Sequence, residues 1–306
     1  MHDLGRYRRI RVEPVTGSTG AEIFDVDVAD IDEETFSEIR HAFHEHSVIF
    51  FRDQSLDADS LGTFAGRFAP LTVSYVRGGE KPHPVGRMHR AADTPRSVPN
   101  LGDRWHADQS SRERPNMGVA LYCLEAPPYG GDTLFANLTA AWEGLAPGLK
   151  AICEPLITYH SLSGIYGTDG MGLVGTTKPF AYDAEHVRLD DEMLATIRRR
   201  FEHPLLCTHP ETGRPYLYVT GNHMIGIKGM NDLEAAPLLQ MLNTHVTKPE
   251  FTCRFRWRKG SLAVWDNRCT QHYAVNDYEG FERTMLRAEM EGTPPFGPAK
   301  PLDGVS

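Results

Sequence analysis

The sequence predicts a mainly β protein with flanking helices, an antiparallel barrel or jelly roll carrying extra helices. Short runs rich in β-branched and aromatic residues recur along the chain, bounded by Gly, Pro, Asn or Asp. Helical spacing of apolar residues is confined to a few stretches, most of them between those runs. No internal repeat is visible.

Residues 9–28 read as short strands around a Gly-rich turn: Ile10–Val12, then Thr16–Gly20, then Ala21–Ile23 and Val26–Val28. Residues 32–46 carry Phe36, Ile39, Ala42 and Phe43 at helical spacings. His41, His44 and His46 lie near the end of that helix, where positively biased residues commonly gather, so a metal cluster is not expected there. Val48–Phe51 reads as a buried strand, and a short helix over 57–67 is capped by Asp57 or Asp59. Residues 72–104 lack periodicity and hold Gly78, Gly79, Pro82, Pro84, Gly86, Pro95 and Pro99, which predicts a long loop or lid.

Residues 117–124 read as a core strand. A Pro-Gly turn at 127–132 delivers a short strand through Phe135, and Asn137 caps a helix over Leu138–Leu145. Ile157–Leu162 is extended, and the five glycines of 163–176 suit a mobile flap or a plain surface loop. Glu192–Phe201 reads as helix. Leu205–His209 and Tyr216–Val219 form a hairpin around Pro210–Arg214. Asp232–Thr247 is an amphipathic helix with Leu233, Leu238, Leu239, Leu242 and Val246 as its core side. Phe251–Trp257 alternates apolar residues with Arg254 and Arg256, a strand with one wet face. Leu262–Trp265, Gln271–Val275 and Arg283–Met290 close the ordered part, and a Pro/Gly-rich tail from Thr293 frays.

The 306 residues suffice for one continuous core, and 40% hydrophobic with 24% charged residues is ordinary for a globular protein. A net charge of −9 argues against generic nucleic-acid binding. It leaves room for a local basic pocket. The five cysteines are widely spaced and contain no C-x-x-C, which reads as reduced, mostly buried thiols in a cytoplasmic protein. The N-terminus lacks an apolar run, and no stretch approaches the ~20 apolar residues of a membrane span.

The chemistry centres on Trp105-His106-Ala107-Asp108. In an extended segment His106 and Asp108 project from one face, because strand side chains alternate. An imidazole and a carboxylate side by side are two thirds of a non-haem iron site, which needs one more ligand and three open positions. His272, in a β-type segment, is the best third ligand. His160, His203, His209 and His245 read as core or surface histidines. Arg283 and Arg287 stand four apart on one strand face. Two guanidiniums aimed into a barrel interior are costly unless an anion lies there. The alternative is a pair on the wet face.

These residues resemble the taurine/chlorophenoxyacetate dioxygenase family of iron(II)- and 2-oxoglutarate-dependent oxygenases. The matching stretches are W-H-A-D at 105–108, P-P-Y-G-G-D-T-L-F at 127–135, T-H-P-E-T-G-R-P-Y-L-Y-V at 208–219, K-P-E-F at 248–251, W-D-N-R-C-T-Q-H-Y-A at 265–274 and R-T-M-L-R at 283–287. The resemblance runs from about residue 9 to 290. It implies a double-stranded β-helix and one oxygenase domain over 1–306, with loop or lid segments at about 72–104 and 163–190 and a tail from about 293. It implies His106, Asp108 and His272 as the Fe(2+) triad. Thr133 and Arg283 would hold the distal carboxylate of 2-oxoglutarate, with O2 as the other co-substrate. Arg287 would be the cation near the metal that grips an anionic substrate or assists the co-substrate.

His223 falls at a position that is commonly aromatic and substrate-facing in relatives; the alternative is a loop histidine. Segment 72–104 shows no clear match, which speaks against taurine, and Thr220 stands where many relatives have Asn. The implied reaction couples oxidative decarboxylation of 2-oxoglutarate to hydroxylation, or hydroxylation-driven bond cleavage, of a small organic anion. Asp108 favours oxygen transfer over halogenation, since a chloride-transferring relative carries Gly or Ala there. The implied partner is a small molecule, with neither nucleic acid nor membrane, and relatives often form dimers or tetramers. Competing readings are a desaturase or cyclase on the same centre, a non-catalytic metal-binding jelly-roll sensor, and a zinc hydrolase. The last would not need the Arg283–Thr133 seat.

Overall fold

The computed structural model describes residues 7–73, 83–95, 102–166, 191–221 and 223–298. The chain opens with strands β1 (Arg11–Pro14) and β2 (Ala21–Phe24). Helix α1 (Glu33–His46) follows, its first turn closed by the Asp32 carboxylate accepting from Thr35 N–H at 2.8 Å. Next come β3 (Val48–Phe51) and α2 (Ala58–Gly66), which Asp57 and Ser60 start with a reciprocal capping box. Strands β4 (Val85–Arg90), β5 (Gly118–Glu125) and β6 (Thr133–Asn137) lead into α3 (Leu138–Glu143), whose N-cap is Asn137. Then α4 (Pro147–Cys153), β7 (Ile157–His160), α5 (Ser163–Tyr166), α6 (Asp191–Arg198) and β8 (Phe201–Pro204) precede the hairpin of β9 (Leu206–Thr208) and β10 (Pro215–Leu217). Strand β11 (Met224–Ile227), helix α7 (Asp232–Val246), and strands β12 (Thr252–Phe255), β13 (Leu262–Asp266), β14 (Thr270–Ala274) and β15 (Arg283–Met290) complete it.

Among the described residues a seven-stranded sheet runs β1-β2-β3-β13-β5-β15-β4, antiparallel except for β2–β3. A three-stranded sheet runs β12-β6-β14. Alternation along the strands sorts the large sheet's side chains onto two faces. Ile49, Phe51, Ala120, Tyr122, Leu262, Val264, Leu286 and Ala288 pack with Phe36, Ile39, Phe43, Leu61 and Phe64 of the two helices. Their neighbours Val48, Phe50, Val119, Leu121, Ala263, Trp265 and Met285 instead meet Phe135, Cys253 and Phe255 of the small sheet and Trp257 just after it. The two sheets thus share an apolar interior, as a jelly roll requires. A third cluster packs α3 and α7 against the hairpin and β11.

Several expectations are corrected. Val26–Val28 is not a strand: Asp25 turns into the left-handed region (φ 63°), and Val28 N–H bonds to the Gln54 side chain instead of a ladder. The predicted loop 72–104 contains β4, an edge strand paired with β15. Only Val85 and Met88 are apolar among its six residues, so backbone bonding rather than pattern defines it. Leu233 is 88% exposed, since it sits in the first turn of α7 before the apolar face turns inward. The tail does not fray at Thr293: the carbonyl of Phe296 accepts from Thr208 N–H at 2.8 Å. Periodicity also misses α4, β8 and β11, each seven residues or shorter. The flap predicted over 163–176 begins with α5, and its remainder lies outside the described residues. All five thiols are buried and free. No helix among the described residues is long and apolar enough to cross a membrane.

Candidate active site

Strand β15 determines which charges enter the interior. Met285 packs between the sheets while Leu286, Ala288 and Met290 face the helices. The period of two therefore turns Arg283, Arg287 and Glu289 inward with Met285. All three line a cavity of about 680 Å³ together with His106, Asp108, Gln109, Thr133, His223 and His272. Its apolar wall includes Met88, Leu121, Leu162, Ile165, Phe201 and Trp265.

His106 lies in a bridge between His272 and Gly221. It exchanges both backbone hydrogen bonds with His272, at 3.1 and 2.8 Å. Gly221 is required at this crossing, because its φ is +60° and a Cβ would stand 1.9 Å from the Trp105 carbonyl oxygen. Asn267, in the turn after β13, fixes Asp108 from both sides. Its side-chain oxygen accepts from Asp108 N–H at 2.8 Å, and its amide donates to the Asp108 carbonyl at 2.9 Å.

Asp108 Oδ1 is 3.6 Å from His106 Nε2 and Oδ2 is 3.6 Å from His272 Nε2. One ligand atom from each residue falls within 4.8 Å of the others. His106 Nδ1 donates to the Arg104 carbonyl at 2.7 Å, so the Nε2 lone pair is left for the centre. Burial works to raise the Asp108 carboxyl, but Arg287, His272 and His106 around it hold it well below the ordinary carboxylate range. Burial, with the neighbouring His106, pushes His272 well down. An ionised carboxylate and neutral imidazoles are the protonation states a metal needs.

Thr133 on β6 is buried, and its hydroxyl oxygen accepts from Trp257 Nε1–H at 2.9 Å. Arg283 is 8% exposed, its Nε has no acceptor, and no carboxylate lies within ion-pairing distance among the described residues. Its guanidinium stands 5.7 Å from the Trp257 ring centroid. Burial lowers its pKa. Arg287 is held differently: Nη2 is 2.8 Å from Asp108 Oδ2 and Nε is 2.9 Å from Glu289 Oε1. Burial opposes its charge, but Asp108 and Glu289 raise its pKa. His223 is 5% exposed and its Nδ1 has no partner among the described residues. It is a cavity residue rather than a surface loop histidine, and burial pushes it down to about 4.

All seven residues singled out in the sequence thus line one cavity. Sequence reasoning gave no role to Asn267, Trp257, Gln109 and Glu289. The alternation argument that paired Arg283 with Arg287 extends to Glu289, two positions on.

His160, His203, His209 and His245 are buried and hydrogen-bonded. A second convergent group, His209, Asp266 and Cys269, already holds a counter-ion, since Arg268 bonds both Asp266 oxygens at 2.8 and 2.5 Å. His44 Nε2 stands 2.8 Å from a Glu211 carboxylate oxygen and joins no metal-binding group among the described residues. Another cavity of about 790 Å³ lies beyond Trp257, lined by Arg52, Arg256, Arg258 and Lys259, and contains no member of the triad.

The two facing sheets and this cavity define a jelly roll built around a His-Asp-His candidate metal centre. The chain belongs to the taurine catabolism dioxygenase TauD, TfdA family, whose profile matches residues 11–288. It is 34% identical over 293 residues to an alpha-ketoglutarate-dependent sulfate ester dioxygenase from Pseudomonas putida, covering 94% of this chain and 91% of that one. It resembles the crystal structure of a taurine dioxygenase from Burkholderia xenovorans at TM-score 0.75 and 31% identity, covering 95% and 94% of the two chains. It also resembles AAD-2 in complex with Mn(II) and N-oxalylglycine, at TM-score 0.76 and 26% identity over 94% and 99% of the chains.

Proposed function

We propose that the cavity binds Fe(II) through His106, Asp108 and His272, and that the enzyme hydroxylates a small organic anion, with sulfate esters the first class to test. The observation that carries the reading is Arg283, a buried cation with no ion-pair partner among the described residues, beside a His-Asp-His cluster. A buried guanidinium is costly unless an anion completes it. The distal carboxylate of 2-oxoglutarate is such an anion. Thr133 suits the same seat: its oxygen already accepts from Trp257, so its own O–H is free to donate.

Three protein ligands leave three octahedral positions for co-substrate and O2. Bound iron supplies the oxygen activation that side chains lack. The residues supply the rest. Asn267 and the His106–His272 bridge hold the ligands, and the apolar wall keeps water from the reacting carbon. Arg287 faces the substrate's anionic end, and His223 offers a further polar contact.

The balanced reaction is substrate C–H plus 2-oxoglutarate plus O2, giving C–OH, succinate and CO2. On a sulfate ester, hydroxylation of the carbon bearing the ester oxygen gives a species that collapses to an aldehyde and releases sulfate with a proton. The similarity to the P. putida sulfate ester enzyme supports testing that class. The test is substrate-dependent succinate release with Fe(II) and 2-oxoglutarate across a panel of sulfate esters, sulfonates and carboxylates. His106→Ala should abolish it. Full turnover by that variant sinks the ligand assignment, and a panel without any active anion sinks the substrate reading.

A further inference from the structure

Glu289 is the residue that the proposed chemistry leaves unused. It follows Arg287 by two positions on β15 and lines the cavity with its side chain 15% exposed. A carboxylate beside a cation meant for an anion works against anion binding unless it has its own task. Its position is built rather than incidental. Glu289 Oε1 takes Arg287 Nε at 2.9 Å, and Oε2 accepts from Gln109 Nε2 at 2.5 Å. Gln109 directly follows Asp108 and reaches Glu289 from a left-handed backbone (φ 54°), a conformation that non-glycine residues rarely adopt.

The donor count then constrains what binds. A guanidinium has five N–H groups. Glu289 takes the one on Nε, and Asp108 faces Nη2. An anionic oxygen can still be received on Nη1, but the side-on fork formed by Nε and Nη2 is occupied by Glu289 and Asp108. A bare sulfonate, sulfate or carboxylate set there faces the Glu289 carboxylate with nothing to offer it. A carboxylate has about four lone-pair sites, and Glu289 uses two of them within the protein. A ligand that carries an N–H or O–H next to its anionic group satisfies both residues at once.

We propose that Glu289, clamped by Gln109, selects a substrate bearing a hydrogen-bond donor, ammonium or hydroxyl, beside its anionic group. This rests on the reading of Arg287 as the cation facing the substrate's anion. The selection is differential, because the analogue lacking the donor sets its anion against the buried Glu289 carboxylate with no hydrogen bond to offset the repulsion.

The experiment uses matched pairs of short organic anions with and without an amino or hydroxyl group on the carbon next to the anion-bearing one. Binding is read anaerobically from the change that each compound makes in the visible absorbance of the Fe(II)–2-oxoglutarate enzyme. Turnover is read from succinate. In the wild-type enzyme the donor-bearing member should bind roughly tenfold more tightly or better. Glu289→Gln should lose most of an ammonium preference and keep more of a hydroxyl preference, and Glu289→Leu should lose both. Equal binding of the pairs by the wild-type enzyme overturns the proposal, and so does a preference that survives in Glu289→Leu. The wild-type comparison decides the matter even where a variant fails to fold. A wild-type enzyme without the absorbance band or succinate release refutes the oxygenase site itself, and this inference with it.

Discussion

Replacing Arg283 by methionine should stabilise the ligand-free protein while removing its hold on 2-oxoglutarate. The side chain is 8% exposed, its Nε is unsatisfied, and no carboxylate pairs with it among the described residues. Exchanging a poorly compensated buried charge for an apolar side chain of similar length is commonly neutral or stabilising by about 1–4 kcal/mol. The nearby Trp257 ring offers a cation some compensation, so the lower part of that range, about 1–2 kcal/mol, applies here. For a chain of this size that raises Tm by roughly 2–4 °C. On the ligand side, losing a charge-assisted contact to a carboxylate costs about 3 kcal/mol, or roughly a hundredfold in affinity. The assay is thermal unfolding with and without Mn(II) plus 2-oxoglutarate. Ligand should raise the wild-type Tm by mass action. The variant should start higher and gain little from 2-oxoglutarate. A variant less stable than wild type without ligand would show that Arg283 is structural and refute the reasoning. An intact ligand-dependent shift would move the carboxylate seat elsewhere.

Trp257→Phe keeps the ring and removes the N–H that engages the Thr133 oxygen. It should raise the KM for 2-oxoglutarate several-fold with kcat little changed, since one neutral hydrogen bond is worth about 1 kcal/mol; steady-state kinetics checks it. Gly221→Ala would place a Cβ 1.9 Å from the Trp105 carbonyl oxygen and displace His106. It should weaken Fe(II) binding at least tenfold or lower Tm by several degrees, read by metal titration and calorimetry. Glu211 lies against His44 and accepts from Arg40 and Arg268, which together lower its pKa against the opposing effect of burial. A lowered carboxyl stabilises the fold above its ordinary value near ~4.3 and loses that contribution as pH falls below it. Glu211→Gln should therefore lower Tm at pH ~7, with the difference shrinking toward pH ~2 in a melting series.

The site was more legible in the sequence than the fold around it, for a physical reason. His106-x-Asp108 and Arg283-x-x-x-Arg287 rest on strand alternation, which holds wherever a segment is extended. Strand β15 does run extended through the arginine pair, and His106 sits in a bridge to His272, although the chain turns at Asp108. Caps at Asp32, Asp57 and Asn137 were readable because a carboxylate or amide there satisfies orphan N–H groups locally. Strand β4 was not, because its six residues carry only two apolar side chains and its stability comes from bonding to β15, 190 or more residues away. Val26–Val28 failed in the opposite sense. Its residues favour a strand, but the left-handed turn at Asp25 precludes one.

The same alternation also sets the charges that line the cavity. One strand face delivers Arg283, Met285, Arg287 and Glu289 in succession to the interior. The two cations are not equivalent. Among the described residues Arg283 has no ion-pair partner, the state expected of a group awaiting an anion from outside the protein. Arg287 has Asp108 on one nitrogen and Glu289 on another, so it enters the cavity already neutralised. Metal binding at Asp108 would draw that carboxylate's charge toward the ion and leave Glu289 as the main partner of Arg287. A site arranged this way attracts an anion least when it is empty and more once the centre is assembled. Substrate binding should therefore be weak in the metal-free protein and stronger with Mn(II) and 2-oxoglutarate present, an order that equilibrium dialysis with and without the metal would test.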